Sequence, residues 1–145
     1  MDERYEPLRL CNQLCFPLYA ASREIVSRYK PVLDELELTY TQYIAMLVLW
    51  EQGTVSVKEL GRALYLDSGT LTPVLKKLEQ KGLLDRRRDT SDERVLNVTV
   101  TEAGLALRER ALSVPERVAC TLEITEDEAV CLYRILNKLL RGGEE

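Results

Sequence analysis

Residues 56–100 leave little freedom in how this chain folds. The stretch SVKELGRALYL, residues 56–66, sets Ser56 three residues before Glu59, the spacing of a capping box, and continues with apolar residues at helical intervals. Residues 68–82, SGTLTPVLKKLEQKG, begin a second helix with Ser68 as its expected cap, gather Leu71, Val74, Leu75 and Leu78 on one side, and stop at Gly82. Only a tight turn around Asp67 separates the two. LLDRRR and RVLNVTV then alternate about the polar tip DTSDE, which predicts a β-hairpin. Two short helices meeting at a tight turn, followed at once by a charged hairpin, predict a winged helix-turn-helix. In that arrangement one helix enters the major groove of DNA and the hairpin reaches a neighbouring minor groove.

Charge is placed to match. The whole chain carries a net charge of −4, which by itself argues against nucleic acid. Between Lys76 and Arg88, however, six cations face only Glu79 and Asp85, a local +4 that leaves −8 for the rest of the chain. An isolated run of cations is most simply a solvated face; on a helix-turn-helix and its hairpin it is a footprint for double-stranded DNA. Ser68, Thr70, Thr72, Lys76 and Lys77 near the start of the second helix offer small donors for base edges and cations for phosphates. On the hairpin, Arg86 and Arg94 lie on the two strands, and Asp92 stands two residues before Arg94, close enough to orient its guanidinium for a minor groove.

The flanking sequence is helical. Leu10, Leu14, Leu18, Ile25 and Tyr29 recur at helical spacing from Leu8 to Lys30, and Pro31 is expected to end that helix and open a short one over PVLDELEL. Thr39 to Thr41 precede QYIAMLVLWEQ, apolar nearly all round and closed by Gly53, which reads as a buried helix. After the hairpin, Thr101 and Glu102 start a long helix expected to bend near Pro115, and a last one runs from the Thr125–Glu128 capping box to Gly142 and Gly143. The expected fold class is mainly α with a small β hairpin, in a single domain over residues 1–145. No run approaches the ~20 apolar residues of a membrane span, and the acidic start MDERYEPLR lacks the plan of a signal peptide. The expectation is a cytoplasmic protein without membrane association.

Four cysteines, at 11, 15, 120 and 131, are too dispersed for a disulfide framework and are read as thiols. Cys11 and Cys15 in an intact helix would hold their Cβ atoms about 5–6 Å apart, too far for a bond that needs about 3.8 Å. CxxxC with an 11-residue second spacing matches no structural zinc pattern, so neither metal nor cofactor is expected. Cys11 reads as a packing residue. Buried packing is also the default for Cys15, but Pro17 has no amide hydrogen, so the helix either starts afresh there or kinks, and a fresh start would set Cys15 beside a helix N-terminus that favours thiolate. With no histidine in the chain, further activation must come from cations or hydroxyls, and seven tyrosines against one phenylalanine supply phenols.

The segment from Ser56 to Gly104, with its wing pattern Asp92, Arg94 and Thr101, resembles the MarR family of dimeric winged-helix repressors. Together with LCFPLYAASR near the start it resembles the organic-hydroperoxide-sensing OhrR branch in particular. The resemblance implies a homodimer on a pseudo-palindromic operator, with residues 35–100 as the DNA-binding part and the helices of 1–34 and 101–145 as the dimerisation region. It implies that Cys15 is the peroxide-reactive residue, that Tyr29 and Tyr40 donate to its sulfur from the partner subunit, and that Cys120 occupies the position of a resolving cysteine, with Cys131 as the alternative. An organic hydroperoxide would then be the inducer of a repressor that is not an enzyme. Two other functions fit parts of the sequence. In one, a small aromatic ligand releases a MarR-type repressor; the other is a thiol peroxidase, for which the chain shows neither a reductant site nor a catalytic base.

Overall fold

The computed structural model describes residues 3–141. Two 3-10 turns, Glu3–Leu8 and Leu10–Asn12, lead into α1 (Cys15–Asp34) and α2 (Tyr40–Gln52). A short strand β1 (Thr54–Ser56) precedes the helix pair α3 (Val57–Leu64) and α4 (Ser68–Gln80). The hairpin β2 (Leu84–Arg88) and β3 (Leu96–Val100) follows, and then α5 (Glu102–Ala111), α6 (Val114–Ala119) and α7 (Glu126–Arg141). The mainly helical winged helix-turn-helix expected from the sequence is the fold observed. The stop expected at Gly142 and Gly143 lies outside the described residues.

Local capping explains most helix starts. Thr39 and Ser56 close full capping boxes with Gln42 and Glu59, and Thr101 caps α5 by accepting the Gly104 N–H. The cap of α4 is one residue earlier than expected: the Asp67 carboxylate, not Ser68, accepts the Thr70 N–H at 2.8 Å. That shift makes Ser68 the first helical residue.

Three other expectations are corrected by packing. Pro31 does not divide the first helix; α1 runs through it to Asp34, because continuing buries Val32 and Leu33 in the cluster that holds Val114 and Val118, which outweighs one missing hydrogen bond. The long helix after Thr101 is two, broken at Leu112 and Ser113, with Pro115 as the second residue of α6, where its missing N–H is harmless. The hairpin is a three-stranded antiparallel sheet of order β1-β3-β2, since Thr54–Ser56 add to β3 with Val55 opposite Val98.

The core gathers beneath the helix pair. Leu71, Leu75 and Leu78 of α4 pack with Met46, Leu49, Leu60, Leu84 and Val98, all fully buried. The outer ends differ. Leu14 just before α1 and Phe16, Leu18 and Tyr19 on its first half are exposed, and α7 buries none of its residues in this chain although it carries Val130, Leu132, Tyr133, Ile135, Leu139 and Leu140. Cys11, expected to pack, is likewise exposed, in a 3-10 turn outside the core. No helix among the described residues is long and apolar enough to cross a membrane.

Gly104 marks the tightest junction. Its carbonyl accepts the indole N–H of Trp50 at 2.8 Å, and a Cβ there would stand 2.2 Å from the Leu83 carbonyl oxygen and 2.7 Å from a Val100 methyl. Gly104→Ala is therefore expected to lower stability by about 2 kcal/mol or more, since rigid backbone must move. Urea denaturation checks this, and an unchanged midpoint would show that α5 can slide off the sheet freely.

Candidate DNA interface and thiol site

The outer side of α4 is what its buried side leaves over. With Leu71, Leu75 and Leu78 turned inward, Ser68, Thr70, Thr72, Lys76 and Lys77 are exposed together. Thr70 donates its hydroxyl to Asp67 at 3.0 Å and Thr72 donates to the Ser68 carbonyl at 2.7 Å, so both hydroxyls are held in place with their acceptor capacity unspent in these bonds. Such a helix end presents small polar groups first and cations a turn later, a layout suited to base edges flanked by phosphates.

Sheet register divides the wing cations. Arg86 is opposite the fully buried Val98, so it points to the helix side of the sheet, where its guanidinium donates to Glu79 at 2.7 and 3.1 Å. Its side chain is only 18% exposed. The structure thus places Arg86 in a brace between the end of α4 and β2, apart from the outward residues with which the sequence grouped it. The register also assigns Arg87, opposite Asn97, to the other face, where it is exposed. Arg94 is the reverse of Arg86: 90% exposed, yet held in a two-pronged pair, Nε to Asp92 Oδ1 at 3.0 Å and Nη2 to Oδ2 at 3.1 Å. The orienting contact expected between Asp92 and Arg94 is present, and it holds the Asp92 carboxyl below the ordinary range.

In the thiol site α1 begins at Cys15, two residues before Pro17, so the helix starts afresh at the thiol. Cys15 is exposed and lines a groove of about 580 Å³ with Leu18, Tyr19, Ile25 and Tyr40 on one side and Leu132, Leu136 and Leu139 of α7 on the other. Tyr40 therefore shares the groove with Cys15 within one chain. Tyr29 stands behind it, ring centroids 4.9 Å apart, in a stack that continues through Tyr43 to Trp50. Burial, followed by the neighbouring Tyr40, pushes the Tyr29 phenol up, further from ionisation than an ordinary tyrosine. Cys120 is exposed at the C-terminal end of α6, beside Thr121, whose carbonyl accepts from Arg28 of α1. Cys131 is exposed on α7, 3.9 Å from the Arg134 guanidinium.

Three residues of these sites were missed in the sequence. Glu79 as the partner of Arg86 depends on the packing of helix against sheet, and Tyr19 in the thiol groove could have been found from its spacing of four residues after Cys15. Asp89, hidden among the charges of the hairpin tip, turns out to accept four hydrogen bonds.

A helix pair packed at a tight turn, a basic outer helix face and a hairpin carrying an oriented exposed arginine define a winged helix-turn-helix DNA-binding protein. Residues 27–110 match the family described as Transcriptional regulator SarA/Rot. The Organic hydroperoxide resistance transcriptional regulator of Bacillus subtilis (strain 168) is 52% identical over 115 residues, 79% of this chain and 78% of its own. Among solved structures, reduced AbfR bound to DNA, from Staphylococcus epidermidis, is 37% identical, with 98% of this chain and 99% of that one covered and a TM-score of 0.78. The disulfide-formed AbfR is 38% identical over 97% and 96%, with a TM-score of 0.64. The chain belongs to the MarR-type winged-helix transcriptional regulators, in their organic-hydroperoxide-sensing OhrR branch.

The wing tip has a pH signature. The Ser91 hydroxyl first, then the backbone N–H groups of Ser91 and Asp92 and the Asn97 amide, lower the Asp89 carboxyl from 3.8 to about 2. A depressed folded value means that the ordering it provides is fully present above pH 3.8 and is lost as pH falls through about 2. The amide resonances of Ser91 and Asp92, followed by NMR, are expected to titrate with a midpoint well below 3.8; a midpoint at 3.8 would mean that these hydrogen bonds are absent in solution.

Proposed function

We propose that this protein is a homodimeric repressor that holds a pseudo-palindromic DNA operator while reduced and releases it when organic hydroperoxide oxidises Cys15. One observation carries the reading: a thiol at the first residue of a helix, in an apolar groove beside a phenol, belongs to the same chain as a winged DNA-reading unit. The exposed apolar sides of α1 and α7 support pairing of two copies, since a monomer would leave them in water. Residues 35–100 read DNA in this proposal, and the helices on either side pair the subunits. Ser68, Thr70, Thr72, Lys76, Lys77 and Arg94 make the contacts with DNA, Asp92 orients Arg94, and Arg86 acts through its brace to Glu79. A regulator of this kind works where the DNA is, in the cytoplasm.

The first step uses the thiol of the groove, and the second adds Cys120. The Cys15 thiolate, favoured by the start of α1 and by phenol donors, attacks one oxygen of ROOH. The O–O bond breaks, sulfur is oxidised by two electrons to sulfenic acid, and the other oxygen leaves as ROH after taking a proton. The thiol of Cys120 from the partner subunit then displaces hydroxide from that sulfur, giving a disulfide and water. An apolar groove favours organic over hydrogen peroxide as oxidant. Closing the disulfide demands Cα atoms within about 7 Å, so it pulls the start of α1 and the end of α6 toward each other and changes the spacing of the two α4 helices. The relatives are transcriptional regulators, and one oxidation per thiol serves here as a signal rather than as turnover.

Cys15→Ser is expected to bind operator like the wild type and to stay bound when cumene hydroperoxide is added; release by peroxide in that variant would leave the thiol without a role. On non-reducing electrophoresis after oxidation, wild type and Cys131→Ser should run as covalent dimers and Cys120→Ser as a monomer. A covalent dimer of Cys120→Ser would move the resolving role to Cys131 or Cys11.

Tyr29→Phe and Tyr40→Phe should each slow Cys15 oxidation, roughly tenfold for one lost hydrogen bond to a charged acceptor, while reduced protein keeps its operator affinity. Stopped-flow rates equal to wild type in both would show that these phenols only pack.

A further inference from the structure

The tip of the wing holds acidic side chains where DNA binding alone favours none. Asp89, Asp92 and Glu93 stand within five residues of one another on a hairpin whose Arg94 must approach a phosphate backbone. A carboxylate there is repelled by the duplex, so its presence calls for a compensating task. For Asp92 the task is the pair with Arg94. Nothing yet accounts for Asp89.

Its contacts do. Oδ1 accepts the backbone N–H of Ser91 at 2.8 Å, the Ser91 hydroxyl at 2.5 Å and the backbone N–H of Asp92 at 3.2 Å, while Oδ2 accepts the side-chain amide of Asn97 on β3 at 2.9 Å. The backbone closes the same turn: Asp89 N–H donates to the Val95 carbonyl and Val95 N–H to that of Asp92, both at 2.9 Å. Asp92, fixed from its own N–H, then receives the N–H of Arg94 at 3.0 Å along with its guanidinium. Asp89 and Asp92 are half-buried and Arg94 fully exposed, so the acids face the hairpin and the cation faces out. We infer that Asp89 is a positioning residue for DNA reading: by fixing the Ser91–Asp92 backbone it sets where Asp92 holds Arg94, and so lets the wing discriminate minor grooves. The inference rests on the operator binding proposed above.

Charge and position make opposite demands, which gives the test its sign. If Asp89 were only a surface charge, Asp89→Ala would remove a repulsion and tighten binding. If it positions Arg94, the same change loosens binding and removes discrimination. Asp89→Asn keeps one acceptor oxygen for the two backbone N–H groups, and Asn97 can turn its own carbonyl toward the new amide.

The experiment uses a duplex that the wild-type protein selects from a random-sequence library, with the pairs under the wing, located by footprinting, replaced by inosine·cytosine or by guanine·cytosine. The two differ in the minor groove only by the guanine amino group. Wild type is expected to prefer the inosine duplex by about tenfold. Asp89→Ala, like Arg94→Ala, should bind the inosine duplex about tenfold more weakly than wild type and show no preference, and the double variant should be no weaker than either single one. Asp89→Asn should regain the preference, which a general loss of folding could not produce. Asp89→Ala that binds as tightly as wild type with its preference intact overturns the inference alone, as does a double variant with fully additive losses. Failure of the wild type to enrich any sequence overturns the repressor reading and this inference with it.

Discussion

Burial of one side of α4 is the constraint on which the rest of the DNA-binding half depends. Leu71, Leu75 and Leu78 are each no more than 1% exposed and lie against Met46, Leu49, Leu60, Leu84 and Val98. At ~1.5–3 kcal/mol for each leucine fully buried, turning the helix by one residue would cost more than any polar contact on its other side could return. The rotational setting of α4 is thereby fixed, and with it the side that faces out. The wing follows from the same contact. Leu84 and Val98 are part of the leucine cluster, so the register of β2 on β3 is set there, and it obliges Arg86 to point inward, where Glu79 at the end of α4 receives it. Helix and wing thus form one body through an apolar cluster and a single ion pair.

The thiol end is built on the opposite principle. The start of α1 and all of α7 contribute little to the core of their own chain, and their apolar side chains are exposed in it, where the proposed second copy would cover them. Elements held by few contacts within a chain are the ones a small chemical change can move. Cys15 lies at the start of such an element, and Cys120 lies where α6 gives way to the segment before α7. Between these loose parts and the rigid DNA-reading body stands the second half of α1, tied to α6 by Val32 and Leu33 and by Glu35, which accepts Arg117 at 2.5 and 2.8 Å. In the proposed mechanism, a displacement of the first half of α1 would be passed on through these packed side chains.

Much of this was legible in the sequence because it is local. Capping boxes, a glycine stop at Gly82 and leucines at intervals of three and four residues are interactions within a turn or two of helix, and all appear where the spacing set them. The failures share a cause. Asp67 and Ser68 are both good caps, and only the packed position of α4 chooses between them. Pro31 is a stop signal that burial of its two successors overrides. β1 exists because Thr54–Ser56 meet a strand more than forty residues later, with the Thr54 and Thr99 hydroxyls 3.0 Å apart.

The same division holds for function. Sequence alone determined the inventory: a helix-turn-helix with its basic outer residues, an Asp92–Arg94 pair two residues apart, and a cysteine before a proline in a chain without histidine. Those are short-range facts, readable from spacing. Tertiary structure decided what each group faces. It turned Arg86 to Glu79 and left Arg94 in the open, brought Tyr40 to the groove of Cys15, and made Asp89 the acceptor around which the wing tip closes. A residue's type and spacing fix its chemistry and its near neighbours, whereas its distant partners are fixed only when apolar surfaces find one another and every polar group has to settle around them.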